Sequence, residues 1–305
     1  MSDLVFLVNP ASANGSTGKR WPEIAQRAAA AGLEGDALIS TRAGELADLT
    51  AQAVEGGARR LVAVGGDGTV YEVVNGLMRG GPHPDVELAI VPRGTGTDFV
   101  RTFKIPTKLD RALEVARDGR LQTIDLGRAR YAAWDGTEAD AYFANFGGAG
   151  ISGAIARRAN ATTKALGGRI SFLWATLAVF ARWKSAEIRV EVDGERRSGP
   201  MFEVLATIGA YAGGGMHVTP DAASDDGLFD TMLIGDVTKL DFVTTFPKIY
   251  RGRHLAHPKI EVLRGKRVSI DADERLPITL DGEQPGTTPV VFDVVPGALR
   301  VRVPA

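Results

Sequence analysis

Residues 62–69 read Val-Ala-Val-Gly-Gly-Asp-Gly-Thr, and a helical pattern resumes at Thr69. Glycine lets a backbone take positive φ and approach a bulky group closely. A helix N-terminus adds unpaired N–H groups and a partial positive charge. Together these form a cradle for phosphate, supplied by Gly65, Gly66, Gly68 and Thr69. Asp67 does not fit that anion by itself, because a carboxylate beside phosphate is repulsive unless a cation intervenes. It points to magnesium, held directly or through water. The plainer reading is a tight strand–helix turn in which Asp67 and Thr69 are caps. The full five-residue string behind a valine-rich strand favours phosphate.

Four further segments carry chemistry. Val91-Pro92-Arg93-Gly94-Thr95-Gly96-Thr97-Asp98-Phe99 again joins a strand end to a helix. Arg93 can clamp a phosphate, and Thr95, beside Gly94, can donate a hydroxyl hydrogen bond. Asp98 is a second carboxylate for the magnesium network, the N-cap of the next helix, or both. Asn9 to Arg20, after the first strand, tempts a Walker A reading that fails at Ala13 and at Arg20. The loop still offers Asn9, hydroxyls, Lys19 and Arg20 to nucleotide phosphates, although a surface turn explains it almost as well. Asp225-Asp226-Gly227-Leu228 could complete a cation site through either carboxylate or backbone carbonyls; taken alone, a solvated turn is the better reading. Ile278-Thr279-Leu280-Asp281-Gly282-Glu283 ends a strand with carboxylates at i and i+2, a spacing that puts both on similar sides. One could accept a hydroxyl proton, whereas an Asp-Gly turn is the simpler account.

These loops need elements to position them. The first ~125 residues alternate short β-rich runs with helical runs, the pattern of a parallel α/β sheet. The strands expected are Leu4–Val8, Leu61–Val64 and Leu88–Val91. The helices are Trp21–Ala31, Glu45–Val54, Thr69–Met78 and Leu109–Arg117. Loops at the carboxyl ends of such strands share one sheet edge, where open α/β sheets bind ligands. From Gly127 onward the rhythm becomes antiparallel. Strands are expected at Arg128–Trp134, Glu138–Phe146, Ile188–Asp193, Glu195–Arg197, Phe202–Ile208, Leu228–Ile234, Lys259–Leu263, Val268–Asp271 and Val290–Val294. Asp135-Gly136 and Asp193-Gly194 signal hairpins. Helices are expected at Ile151–Asn160, Ile170–Lys184 and Leu240–Tyr250.

The 305 residues suit two domains, with 44% hydrophobic and 24% charged residues, ordinary values for a globular core. A net charge of -1 lacks the basic footprint of a nucleic-acid binder. With no cysteine there is no disulfide framework, thiolate site or cysteine nucleophile, which fits a cytoplasmic setting. The apolar run at the N-terminus is too short for a signal peptide. Ile170–Trp183 falls short of the ~20 residues of a membrane span. It could line an acyl cleft or lie at an interface, or equally form a core helix. Tyr211-Ala212-Gly213-Gly214-Gly215-Met216 reads as a glycine loop able to gate a cleft, and the histidines show no ligand spacing.

In this order, Asn9-Pro10, Gly65–Thr69, Pro92–Phe99, Asp225–Phe229 and Asp281–Glu283 resemble the diacylglycerol kinase catalytic-domain family, which includes bacterial soluble lipid kinases and the sphingosine and ceramide kinases. Gly-Gly-Asp-Gly-Thr is also shared with NAD kinases and phosphofructokinases; the Asn-Pro loop and the late Asp-Gly-Glu are more specific to the lipid branch. The resemblance implies an α/β nucleotide domain over 1–127, phosphofructokinase- and NAD kinase-like with a mostly parallel sheet, to which Ala298–Val303 returns. It implies a β-rich, sandwich-like antiparallel lipid domain over 128–297, and an active site in the cleft. It further implies ATP as donor, bound at Gly65–Thr69 with Asn9, Lys19 and Thr95. A magnesium network would include Asp67 and Asp98, and a structural magnesium site Asp225 and the Leu228 backbone. Asp281 would be general base to a lipid hydroxyl, with Glu283 supporting. Thr97 departs from the family's usual Asn, which puts nucleotide affinity in question. The partner expected is a lipid at a membrane surface, with no nucleic acid and with a homodimer left open. The rivals are an NAD kinase-like phosphotransferase and a non-catalytic lipid- or nucleotide-binding regulator of the same fold.

Overall fold

The structure is a computed structural model and describes residues 2–94, 97–161, 179, 180 and 182–305. Thr95, and most of the Ile170–Lys184 segment, lie outside the described residues. The chain forms two compact units, 1–125 with 297–305 and 126–296.

The first unit is built on β1 (Leu4–Val8), β2 (Asp36–Ile39), β3 (Arg60–Gly65) and β4 (Glu87–Pro92). They pair in parallel in the order β2-β1-β3-β4. Its helices are α1 (Ser16–Ala30), α2 (Glu45–Glu55), α3 (Asp67–Leu77), α4 (Asp98–Thr102) and α5 (Leu109–Asp118). One core gathers Phe6, Val8, Val62, Val64, Ala89 and Val91 from alternate strand positions with Ile24 and Ala28 of α1 and Leu113 and Ala116 of α5. A strand shows alternate residues to opposite faces, so Val5, Leu7, Leu61 and Ala63, also buried, face the other side. There α2 and α3 come so close that a Cβ on Gly76 would stand 2.3 Å from the Ala47 carbonyl oxygen.

The second unit contains β5 (Arg120–Ala133, entered from the first unit), β6 (Glu138–Phe143), β7 (Phe146–Gly150), α6 (Ile151–Ala161), β8 (Ala186–Val192) and β9 (Glu195–Thr207). It continues with β10 (Tyr211–Ala212), β11 (Met216–His217), β12 (Phe229–Gly235), α7 (Lys239–Ile249), β13 (Ile260–Gly265), β14 (Arg267–Ala272), β15 (Ile278–Leu280) and β16 (Gly286–Val303). The pairings are antiparallel in the order β13-β12-β9-β8-β14-β16. β7 pairs with both β9 and β15. The far end of β16 belongs to the first unit, where Arg300 and Val301 lie parallel to Glu87 and Leu88 of β4.

Several elements differ from the sequence expectation. β5 runs straight through Gly127, because that glycine faces Phe143 and a Cβ there would meet the ring at 2.1 Å. The expected strand Glu138–Phe146 is two strands that break at Ala144 and Asn145. β7, Phe-Gly-Gly-Ala-Gly, has little β propensity but is fully buried. A Cβ on its Gly148 would stand 2.6 Å from the Val204 carbonyl oxygen, so β9 admits only glycine there. Asp193-Gly194 does form a tight turn, with φ of 46° and 94° and Val192 paired to Glu195.

Candidate active site

In the first unit, the loops after β1, β3 and β4 are tied together at the carboxyl edge of the sheet. The Asn9 amide nitrogen donates to Thr69 Oγ1 at 3.0 Å, and Ala11 N donates to Asn9 Oδ1 at 3.1 Å. Arg93 N donates to the Gly65 carbonyl at 2.6 Å. Gly65 must be glycine, since a Cβ there would stand 2.1 Å from Thr69 Oγ1. Gly66, in extended conformation, precedes α3, whose first residues are Asp67, Gly68 and Thr69. Helix α1 starts at Ser16, earlier than the Trp21 expected, so Lys19 lies in its first turns and is exposed rather than on a loop. The early start depends on Gly18, whose added Cβ would stand 2.9 Å from Pro10 Cβ.

The carboxylates of this unit have defined partners. Asp67 accepts from Asp98 N at 3.1 Å and from Phe99 N at 3.3 Å. It therefore caps α4 rather than its own helix. Asp98 is buried and is the first residue of α4, with Thr97 at the N-cap position, which removes Asp98's reading as the cap. Burial, and then the Asp98 carboxylate, push Asp67 up to about 6 despite the two amide bonds. A divalent cation would relieve that repulsion. Arg93, beside the exposed Gly94, reaches Ser16 Oγ at 3.5 Å, and its Nε is buried with no hydrogen-bond partner among the described residues. Burial and the nearby Arg20 guanidinium both push Arg93 below its ordinary value. An anion fits beside two such cations.

In the second unit, Asp281 and Gly282 are the centre of a two-residue turn with φ of 49° and 93°. Leu280 N and Glu283 N each donate to the other residue's carbonyl at 2.8 Å. This is the geometry of a type I′ hairpin, which needs positive φ at both positions. The alternation of an extended strand therefore does not orient Asp281 and Glu283, contrary to the same-side expectation. The turn aims the Asp281 carboxylate at the break between β6 and β7. Ala144 N donates to Oδ2 at 2.7 Å, while Asn145 N and Phe146 N donate to Oδ1 at 3.0 and 2.9 Å. Asp281 N in turn donates to the Phe146 carbonyl at 2.9 Å. Nearby, the Asn145 side-chain nitrogen donates to the Tyr211 carbonyl, which ties down the foot of the glycine loop.

At the turn expected to hold a second cation, Asp226 has protein partners. Asp226 Oδ1 accepts from Leu228 N at 3.0 Å, and Asp226 Oδ2 pairs with the Arg264 guanidinium. Arg264 Nε also lies 3.2 Å from Asp230 Oδ1. A guanidinium thus pairs with the Asp226 carboxylate, while Asp225, expected with the Leu228 backbone to hold the cation, is exposed. Among the described residues no three His, Asp or Glu side chains gather to hold a metal.

Glu203 was missed. It is buried on β9, accepts from Ser152 N at 2.7 Å and Ser152 Oγ at 2.8 Å, and is pushed up to about 7 by burial. The signal was an acidic residue inside the apolar run Met-Phe-Glu-Val-Leu-Ala-Thr-Ile.

Comparison with known proteins agrees with this architecture. The family described as "Diacylglycerol kinase catalytic domain" matches residues 3–129, and "YegS C-terminal NAD kinase beta sandwich-like domain" matches 147–303. The chain belongs to the diacylglycerol kinase catalytic-domain family and is an enzyme of the lipid kinase class. It is 28% identical over 291 residues to a diacylglycerol kinase of Bacillus subtilis, covering 94% of this chain and 91% of that one. Against a diacylglycerol kinase of Staphylococcus carnosus it is 26% identical over 289 residues, covering 94% and 90%. A crystal structure of a diacylglycerol kinase from Bacillus anthracis superposes with a TM-score of 0.70 at 19% identity, covering 98% and 96%. Yeast NADH kinase does so at 0.55 and 12%, covering 99% and 83%. These two likenesses speak to the fold alone. Among the described residues no helix is long and apolar enough to cross a membrane.

Proposed function

We propose that the chain transfers the γ-phosphoryl group of ATP to the hydroxyl of a diacylglycerol-like lipid with the help of magnesium. The observation that carries the donor side is the knot of three loops at the carboxyl edge of β1, β3 and β4, where the Asn9 side chain donates to the Thr69 hydroxyl and Arg93 N donates to the Gly65 carbonyl. Free N–H groups at the start of α3 and the Arg93 guanidinium would bind and orient the phosphates. Lys19, exposed on α1, is free to swing toward the same anion. Asp67 and Asp98 fit a divalent cation, which would neutralise charge on the transferring phosphoryl group. Asp281, fixed by three amides, would take the proton of the lipid hydroxyl, with Glu283 next to it on the turn.

Two observations weigh against the rivals. Asp281 and Glu283 stand on a tight, backbone-anchored turn, and the diacylglycerol kinase catalytic-domain model matches residues 3–129 while the relatives aligned over 94% of the chain are named diacylglycerol kinases. The test is purified protein with labelled ATP and magnesium against diacylglycerol, monoacylglycerol and sphingoid-base micelles, with NAD as a separate acceptor. Label in a lipid that depends on Asp281 supports the proposal. Label in NADP moves the function to the NAD kinase-like rival. ATP binding with no transfer to any acceptor leaves a non-catalytic regulator.

A further inference from the structure

Among the described residues, helix α7 carries an exposed outer face, whose one ring contact is that of Tyr250 edge-on to Phe246 of the same helix at 5.9 Å. Leu240, Val243, Pro247 and Tyr250 recur at i, i+3, i+7 and i+10, which places them on one side of the helix. Leu240 is 72% exposed, Val243 61% and Tyr250 50%. These three are a majority of the exposed large hydrophobic side chains described, and they share one face. The opposite side is firmly seated. Phe242 packs on Phe202 at 5.6 Å between ring centres and on Phe246 at 4.9 Å, and Ile249 is buried. The outer residues are therefore not core residues waiting to turn inward.

Charge surrounds this face on one side. Lys248, Arg251 and Arg253 are exposed, and none of them forms an ion pair among the described residues. Elsewhere Arg189, Arg197 and Arg267 are each matched to a carboxylate. The stretch 236–259 holds only two acids, Asp236 and Asp241. Asp241 is turned back to the helix start, accepting from Thr238 N at 2.9 Å and pairing with Lys259 at 3.1 Å. An apolar helical face flanked by unmatched cations is complementary to an anionic lipid surface, where the side chains enter the acyl boundary and the cations meet headgroups. A second copy of the chain suits it less well. A two-fold contact sets each patch against its own image, bringing like charges together, and one three-turn helix face is small for a stable dimer.

We infer that α7 docks the protein on anionic phospholipid membranes through Leu240, Val243, Pro247 and Tyr250, with Lys248, Arg251 and Arg253 as the electrostatic part. This rests on the lipid kinase reading only in explaining why docking is useful, and its test needs no turnover. The protein is sedimented with phosphatidylcholine vesicles made with and without phosphatidylglycerol. Wild type should bind the anionic vesicles in a salt-sensitive way and the neutral ones weakly. Leu240→Asp with Val243→Asp should lower binding at least about tenfold, and so should Lys248→Glu with Arg251→Glu. Unchanged thermal unfolding of the variants would confirm that their fold is intact, as expected for exposed sites. The inference is overturned if wild type binds neither vesicle, if both variants sediment as wild type does, or if the variants change only a dimer-to-monomer equilibrium. Phosphorylation of a dispersed short-chain diacylglycerol by the same preparations reports on the kinase reading separately: its absence with vesicle binding intact would sink that reading and leave the docking.

Discussion

Asp281 is an anchor in the structure and the general base of the proposed reaction, and Asp281→Asn tests the two separately. The carboxylate offers two oxygens to three amides, Oδ1 to Asn145 and Phe146 and Oδ2 to Ala144. An asparagine tolerates the positive φ of 49° at this turn position, so the backbone itself is not strained. Its single carbonyl oxygen can keep the two bonds now made to Oδ1. Its NH2 group must then face Ala144 N, a donor against a donor. Ala144 is fully buried, so water does not rescue that amide. One unsatisfied buried N–H costs about 1–3 kcal/mol. Urea unfolding should therefore show a loss of that size for Asp281→Asn. Loss of a general base should lower the rate of lipid phosphorylation by about 10²–10⁴-fold in protein that remains folded. Asp281→Gly keeps the positive φ and drops all three bonds, and should be less stable still. If Asp281→Asn unfolds within about 0.5 kcal/mol of wild type, the anchoring argument is wrong. If it is destabilised yet transfers phosphate normally once folded, Asp281 is an anchor and not a base.

Further outcomes follow from the buried charges. The Glu203 carboxyl is raised from 4.5 to about 7, so its contribution to stability is full below 4.5 and is lost as pH rises through 7. The difference is worth about 3 kcal/mol, and Glu203→Gln should flatten this dependence when chemical unfolding is measured at about pH 5 and about pH 8. Equal pH slopes in the two proteins would refute that account. Arg264→Leu removes the guanidinium from Asp226 and from buried Asp230, and should cost about 1–3 kcal/mol in the same assay, discounted because Arg264 is partly exposed. Chelating divalent cations should stop phosphoryl transfer but leave the unfolding midpoint in place, because Arg264 already supplies the charge at the Asp226 turn.

What the sequence revealed was local. Gly65–Thr69 could be read because every requirement of a strand–loop–helix cradle is met within five residues, and the parallel strands behind it are short apolar runs bounded by glycine or proline. The rhythm of the sequence changes near Gly127, and the two compact units divide at 125–126. Gly127 itself lies inside β5 and is glycine to admit Phe143. Such packing glycines look like breakers until the partner 16 residues away is known. β7 was hidden for the same reason. The cradle around Asp281 was not legible at all, because its donors are 135–137 residues distant and are backbone groups, to which side-chain identity gives no clue.

Asp67 shows how far residue type alone can carry a functional assignment. The sequence left a cap of its own helix and a cation site as alternatives; the cation stays part of the proposed function, and the structure shows Asp67 to be a cap, but of α4. Its two amide bonds, at 3.1 and 3.3 Å, go to the first turn of α4 and so fix where Asp98 stands. Burial beside Asp98 then leaves it with an unrelieved repulsion that a proton or a divalent cation can remove. Replacing Asp67 would remove Asp98's positioning and, in the proposed reaction, one of the two carboxylates offered to the cation. Asp98 is held by its backbone N–H, so an isosteric change of its side chain keeps Asp67's cap while removing a charge. The division of labour is therefore between a carboxylate that builds the loop and one that the loop presents, a distinction that follows from which atom donates and not from which residue is acidic.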